Sequence, residues 1–222
     1  MNSFYKQAKF LVWLESFILL LIGFSIAITI IENGQEQPLF YLLFIVYVPV
    51  AQFAFTPFFK LVGVYQYYSP MLLGYMANDK KIDLHSGTSF DYFFLFQKVS
   101  KGTEWRNRVL VWQIEGLLQL IDQIENNCIP ASVNIIGTSY FFSERQLSNL
   151  GFQTEKATLF YRFNLFINFI DLFWMYSLAK GKLAIPAVWC AKKARISGDT
   201  LVAQKTKFEG LYQKLKVKQA IM

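Results

Sequence analysis

Two long apolar runs near the N-terminus constrain this chain more than any other feature. Residues 10–31, FLVWLESFILLLIGFSIAITII, hold one charge, Glu15, and residues 39–59, LFYLLFIVYVPVAQFAFTPFF, hold none. Each approaches the ~20 apolar residues that cross a ~30 Å hydrocarbon core. The seven residues between them, ENGQEQP, are polar and acidic, and so short a link makes two helices antiparallel neighbours. The first run is long for a signal-peptide core, is followed by no small-residue cleavage site and leads directly into the second, so it reads as a retained span. Pro49 and Pro57 lie inside the second run, where neighbouring helices can satisfy the carbonyls that proline frees and a kink is expected.

Composition agrees. Hydrophobic residues make up 54% of the 222 and aromatics 18%, against 17% charged, well below the quarter typical of soluble domains. The two cysteines, Cys128 and Cys190, have no metal-ligand spacing, and His85 is the sole histidine, so no metal site is expected and a reducing compartment is.

Lysine and arginine set the expected orientation. Lys6 and Lys9 precede the first span, Lys60, Lys80 and Lys81 follow the second, and the link has neither residue type. The positive-inside rule places both termini in the cytoplasm and the acidic link outside, in a multi-pass protein of the cytoplasmic membrane. Glu15 then reads either as a carboxylate at the cytoplasmic interface or as an intramembrane functional group. The Lys, Phe, Ile and Asn usage suggests a bacterial source.

The predicted fold class is a membrane protein with a two-helix transmembrane hairpin, residues 1–63 with spans of about 10–31 and 39–60, and a small cytoplasmic α/β or α+β domain. Residues 64–80, rich in Tyr, read as an interfacial connector, and residues 81–222 as the domain. Within it, KIDLH (81–85) reads as a short strand. Leu110, Ile114, Leu117, Ile121 and Ile124 fall on one stripe of a helix over 105–126. VNII (133–136) reads as a buried strand, SERQLSNL as a short helix that Ser143 and Gln146 can box at its start, and Gly151 as its C-cap. ARISGDTLVA (194–203) reads as a hairpin about Gly198–Asp199. Residues 159–178 are apolar but carry a polar stripe, Asn164, Asn168 and Asp171, at steps of 4 and 3. Three homes suit them: the domain core, the membrane surface or a third span.

Residues 180–222 hold ten Lys/Arg and two acids, whereas residues 1–179 hold twelve and thirteen. All the excess positive charge is therefore C-terminal. Near a cytoplasmic leaflet it would meet anionic lipid; a plain solvated face is the other reading. Nucleic acid is disfavoured, since no binding motif accompanies the charge.

Candidate chemistry clusters in two echoing turns. HSGTSFDYFF (85–94) and IIGTSYFFSE (135–144) share Gly-Thr-Ser-aromatic after a strand. Gly87, Thr88, Ser89, Gly137, Thr138 and Ser139 offer hydroxyls and backbone N–H groups that either cradle a phosphate or carboxylate, or simply cap helices. His85 stands beside Asp83, Ser86, Ser89 and Asp91, residue types that can form a nucleophile–base pair, although no G-x-S-x-G elbow presents a serine. Asp91 and Glu144 are candidate general bases.

From 93 to 155 the expected order is strand, a loop with Gly102 and Arg106, long helix, strand, short helix, then Leu150-Gly151-Phe152 and a strand. Over these roughly sixty residues the chain resembles the C-terminal half of the N-acetyltransferase superfamily. There a glycine-rich R/Q-x-x-G-x-G/A loop grips the phosphates of coenzyme A; the matching KGTEWRNRVL lacks its second and third glycines. The resemblance implies acyl transfer with a coenzyme A derivative and Arg106 near the phosphates, and the membrane anchor would make the substrate a membrane-associated one. It assigns no catalytic residue. Two functions follow as expectations: a membrane-anchored scaffold or assembly partner, docking a protein or a second copy, and a membrane-anchored acyltransferase-type enzyme.

Overall fold

The computed structural model describes residues 3–96, 99–139 and 144–220. Helices α1 (Lys9–Glu36) and α2 (Phe44–Leu61) form an antiparallel hairpin, joined through a 3-10 turn, Pro38–Leu43. Both arms are long and apolar enough to cross a membrane. The protein leaves their apolar sides uncovered: Phe10, Phe17, Ile18, Leu21, Ile22 and Phe24 are all exposed. The arms interlock where the Tyr47 hydroxyl donates to the Gly23 carbonyl at 2.9 Å. Helix α2 continues through both Pro49 and Pro57. Glu15 accepts a hydrogen bond from Gln7 Nε2 at 3.3 Å.

A small α/β domain with a mixed six-stranded sheet follows. Its strands are β1 (Tyr65–Ser69), β2 (Leu72–Tyr75), β3 (Lys81–Ser86), β4 (Asn134–Ser139), β5 (Gln153–Lys156) and β6 (Lys192–Ser197). The spatial order is β1-β2-β3-β4-β6-β5, with β3 and β4 parallel and every other pair antiparallel. A parallel pair needs a crossover, here α3 (Ser89–Phe96) and α4 (Thr103–Glu125). The remaining helices are α5 (Glu144–Asn149), α6 (Leu159–Ile167), α7 (Phe169–Lys180), α8 (Gly198–Ala203) and α9 (Lys205–Ala220).

The alternation of the strands explains the main core. Ile82, Leu84, Ile135 and Ile196 point to one face and meet Ile114, Leu117, Ile121 and Ile124 of α4, with Leu201 and Phe208 closing the cluster. The stripe read from the sequence is this face of α4, except that Leu110 is half-buried. Lys205 ties the start of α9 to Asp122 and Glu125 of α4 at 3.0 and 2.6 Å. A second cluster joins Met71, Tyr92, Trp105, Val109 and Met175. A third, Phe4, Val12 and Phe90 with Tyr5, Phe53, Leu61 and Phe94 around them, welds the hairpin to α3.

Four local readings change. The Tyr-rich stretch expected as an interfacial connector forms strands β1 and β2, turning at Pro70–Met71, and buries Tyr68, Leu72 and Leu73. Residues 93–96, expected in a strand, belong to helix α3, whose Phe90 and Phe94 pack on the hairpin. The hairpin expected about Gly198–Asp199 is the end of β6 and the start of α8, where Ser197 Oγ caps by accepting from the Thr200 N–H. The apolar stretch 159–178 is two helices broken at Asn168, neither long enough to span. Helix α7 packs into the domain, whereas α6 leaves Phe163 62% and Phe166 72% exposed. The expected capping box lies partly outside the described residues, at Ser143.

Candidate functional site

The described residues of the two Gly-Thr-Ser turns follow different strands. Parallel pairing of β3 with β4 ends at Leu84↔Gly137. Beyond it β3 follows β2 to Ser86↔Leu72, and β4 follows β6 to Ser139↔Lys192. Residues 87–89 turn into α3, while Gly137 and Thr138 remain in β4. Both glycines have packing reasons. A Cβ on Gly137 would lie 3.3 Å from the Leu84 carbonyl oxygen, and one on Gly87 would lie 2.9 Å from Met71 Sδ. The side chain of Ser139 and residues 140–143 lie outside the described residues.

Thr88 and Asp91 belong to a closed structural shell. Asp91 Oδ2 accepts from Tyr67 Oη at 2.6 Å and from both the backbone N–H and Oγ1 of Thr88 at 3.0 Å. The carboxyl is 1% exposed. Burial raises its pKa; the hydrogen bonds from Tyr67 and Thr88 and the charge of Lys60 pull it part of the way back. Lys60 Nζ stands over the Tyr5 and Tyr67 rings, 3.4 and 4.7 Å from their centroids. Burial, then the Asp91 charge, pushes both phenols well up, so they remain hydroxyls near neutral pH. The expected anion-binding N–H of Thr88 is thus already satisfied by the protein's own carboxylate. One shell joins the N-terminal 3-10 turn, α2, β1 and α3.

Among the described residues, His85 pairs with Asp83 and Tyr75 and with no nucleophile. On a strand, His85 and Ser86 face opposite sides. His85 Nε2 lies 3.4 Å from Asp83 Oδ1, and Asp83 Oδ2 also accepts from Tyr161 Oη at 3.1 Å. Burial alone would raise the Asp83 carboxyl, but His85, Lys81 and Tyr161 together hold it below its usual range. Ser86 Oγ instead accepts from Gln113 Nε2 at 3.5 Å. The His85 side chain is 41% exposed and edges onto Tyr75. Arg106 lies exposed in the first turn of α4, and Glu144, at the start of α5, pairs with Lys192. Neither joins Asp91.

Ser89 opens a different site. It lines a cleft of about 280 Å³ with Pro49, Val50 and Phe53 of α2, Phe93 of α3, and Asp171 and Trp174 of α7. Asp171 is 1% and Ser89 5% exposed. Asp171 Oδ1 accepts from Trp174 Nε1 at 3.3 Å; among the described residues, Asp171 Oδ2 and Ser89 Oγ have no hydrogen-bond partner. Burial pushes the Asp171 carboxyl up to about 6, against the pull of the Trp174 hydrogen bond. At one end Gln52 Nε2 donates to Asn168 Oδ1, and Asn168 Nδ2 donates to the Asn164 carbonyl at 2.7 Å. Asn168 and Asp171 of the polar stripe on 159–178 thus face α2, whereas Asn164 is exposed. That stripe was the sequence signal for Asp171; nothing in sequence paired it with Ser89 or with the proline-bearing face of α2. A second cavity, about 380 Å³ and polar, lies near Asn134, Gln153, Arg195 and Thr200. There Arg195 Nε already donates to Asn134 Oδ1 at 2.8 Å.

The amides near Gly102 bear on the phosphate grip implied for coenzyme A. Gly102 N–H donates to the Leu178 carbonyl at 2.8 Å and Trp105 N–H to the Ser100 carbonyl at 3.1 Å. A Cβ on Gly181, at the end of α7, would lie 3.2 Å from Gly102 Cα. The end of α7 therefore packs closely on this loop, and the Gly102 and Trp105 amides are taken up by backbone carbonyls. No family model, curated protein or solved structure matches the chain.

Proposed function

We propose that the protein is a scaffold or assembly partner anchored in the cytoplasmic membrane, with α1 and α2 crossing the bilayer and both termini in the cytoplasm. The observation that carries this reading is the Asp91 shell. The carboxylate and hydroxyls best suited to chemistry are taken up in fixing the domain to the hairpin. The lysine distribution supports the orientation. The exposed Leu159, Phe163 and Phe166 of α6 suit the membrane surface, and the lysines of α9 suit anionic lipid at about 1 kcal/mol per residue close to the leaflet. The docked occupant is a protein partner or a second copy. Cross-linking in native membranes followed by mass measurement in nanodiscs tests this. A defined oligomer or stoichiometric partner is expected; a lone monomer that turns over an acyl donor would refute it. A periplasmic C-terminal reporter would overturn the orientation.

One observation favours the acyltransferase-type alternative. Helix α4, strand β4, helix α5, Leu150-Gly151-Phe152 and β5 run in the family's order, with helix α3 where its first strand is expected, and the β3–β4 pair loses its pairing at the carboxyl ends, where ligands bind in open α/β sheets. The occupied amides around Gly102 place this reading second. Thermal stabilisation by a coenzyme A derivative would restore it.

A further inference from the structure

The cleft between α2, α3 and α7 combines an apolar wall with two buried polar atoms that have no hydrogen-bond partner among the described residues. Pro49, Val50, Phe53 and Phe93 supply the wall, and Asp171 Oδ2 and Ser89 Oγ are the unpaired atoms. Buried polar groups without partners are costly, so these two are suited to pair with a bound molecule. Among the described residues, no lysine or arginine lines the cleft. A carboxyl with no cation beside it repels a phosphate or carboxylate head group. A carboxyl oxygen that accepts, lining the same cleft as a serine hydroxyl that donates, matches a ligand hydroxyl, which does both. The volume, about 280 Å³, is roughly nine water-sized volumes at ~30 Å³ each, room for a head group and its first few carbons. The rest of a chain must therefore leave the cleft.

Where that chain would go follows from the anchor. Val50 and Phe53 precede Lys60 by ten and seven residues on α2. At 1.5 Å per residue they lie roughly 10–15 Å along the helix from the lysine, among the acyl chains of the inner leaflet if Lys60 sits at its surface. This placement rests on the membrane-anchored reading.

We infer that this cleft binds the head of a neutral, hydroxyl-bearing lipid, its alcohol donating to Asp171 and accepting from Ser89 while its chain extends into the bilayer. A glyceride and a long-chain isoprenoid alcohol share this chemistry.

Full-length protein in nanodiscs of zwitterionic lipid tests it, with photoreactive probes of four kinds: a diacylglycerol, an isoprenoid alcohol, a fatty acid and an alkyl phosphate. At least one alcohol is expected to label peptides containing residues 49–53 or 171–174, and the more strongly labelling alcohol identifies the source. Val50→Trp, which fills the cleft, is expected to cut labelling at least tenfold. Ser89→Ala, a smaller change that leaves packing in place, is expected to cut it several-fold. Equal labelling by the fatty acid or the phosphate overturns the inference, as does undiminished labelling in both variants or none by either alcohol. Carbonate extraction of the same membranes separates the two levels of the argument. Extractable protein sinks the anchor and this site together, whereas inserted protein with an unlabelled cleft sinks the site alone.

Discussion

Two buried aspartates, each facing the hairpin, are built to opposite ends. Asp91 accepts three hydrogen bonds on one oxygen and has Lys60 nearby. Asp171 has one long hydrogen bond, from Trp174, and one oxygen with no partner among the described residues. Both are 1% exposed, so burial does not separate them. Their partners do. A buried carboxyl surrounded by donors is a fastener, and removing it strands every donor. A buried carboxyl left half-paired is a standing cost, tolerable where a ligand completes it.

That contrast can be broken at four places. Asp91→Ala removes the acceptor for Tyr67 and Thr88 and leaves the Lys60 ammonium uncompensated, so a loss of about 3–5 kcal/mol is expected in denaturant unfolding of the detergent-solubilised protein. A neutral result would show that the hairpin and domain hold together without the shell. Asp171→Asn should act in the opposite sense. The raised pKa means the folded state binds the proton more tightly than the unfolded chain, so the stabilising contribution is complete below the ordinary value of 3.8 and is lost as pH rises through about 6. Above that pH the variant should exceed wild type by up to about 3 kcal/mol, and the slope between the two pKa values should flatten. Melts at about pH 4.5 and about pH 7.5 measure both. Equal slopes would mean that Asp171 is solvated like any surface acid.

Gln52→Ala sharpens the comparison at lower energy. It removes one side-chain hydrogen bond to Asn168, about 1 kcal/mol, and should speed amide exchange at the α6–α7 break while sparing β3 and β4. Glu155→Ala, at an exposed ion pair with Lys193, should leave the melting temperature unmoved. A large effect there would shift weight from buried groups to the surface.

The helices were legible where one periodicity dominated. Ile114, Leu117, Ile121 and Ile124 repeat at helical spacing and are the buried face of α4, and VNII is apolar enough to read as an interior strand. Residues 65–75 and 93–96 differ from their expected structure because aromatic-rich runs satisfy a membrane surface, a sheet and a helix equally well. Tyr67 is placed by its hydrogen bond to a residue 24 positions away, and Phe90 by rings on the hairpin. Of the candidate site, His85, Arg106 and Glu144 were legible only as residue types, and the structure sets them apart. Ser89 was legible as a turn hydroxyl, but its partner in the cleft is 82 positions away, beyond any local pattern.

By itself the sequence determined that two apolar helices precede a small α/β domain, because hydrophobic length and period are local and additive along the chain. It also determined that positive charge gathers at the C-terminus. Only the tertiary structure decided which hydroxyls and carboxyls meet donors and which remain unpaired. Whether a buried polar atom is satisfied depends on elements distant in sequence packing at hydrogen-bond range, and here a few ångströms separate a fastener at Asp91 from an open acceptor at Asp171.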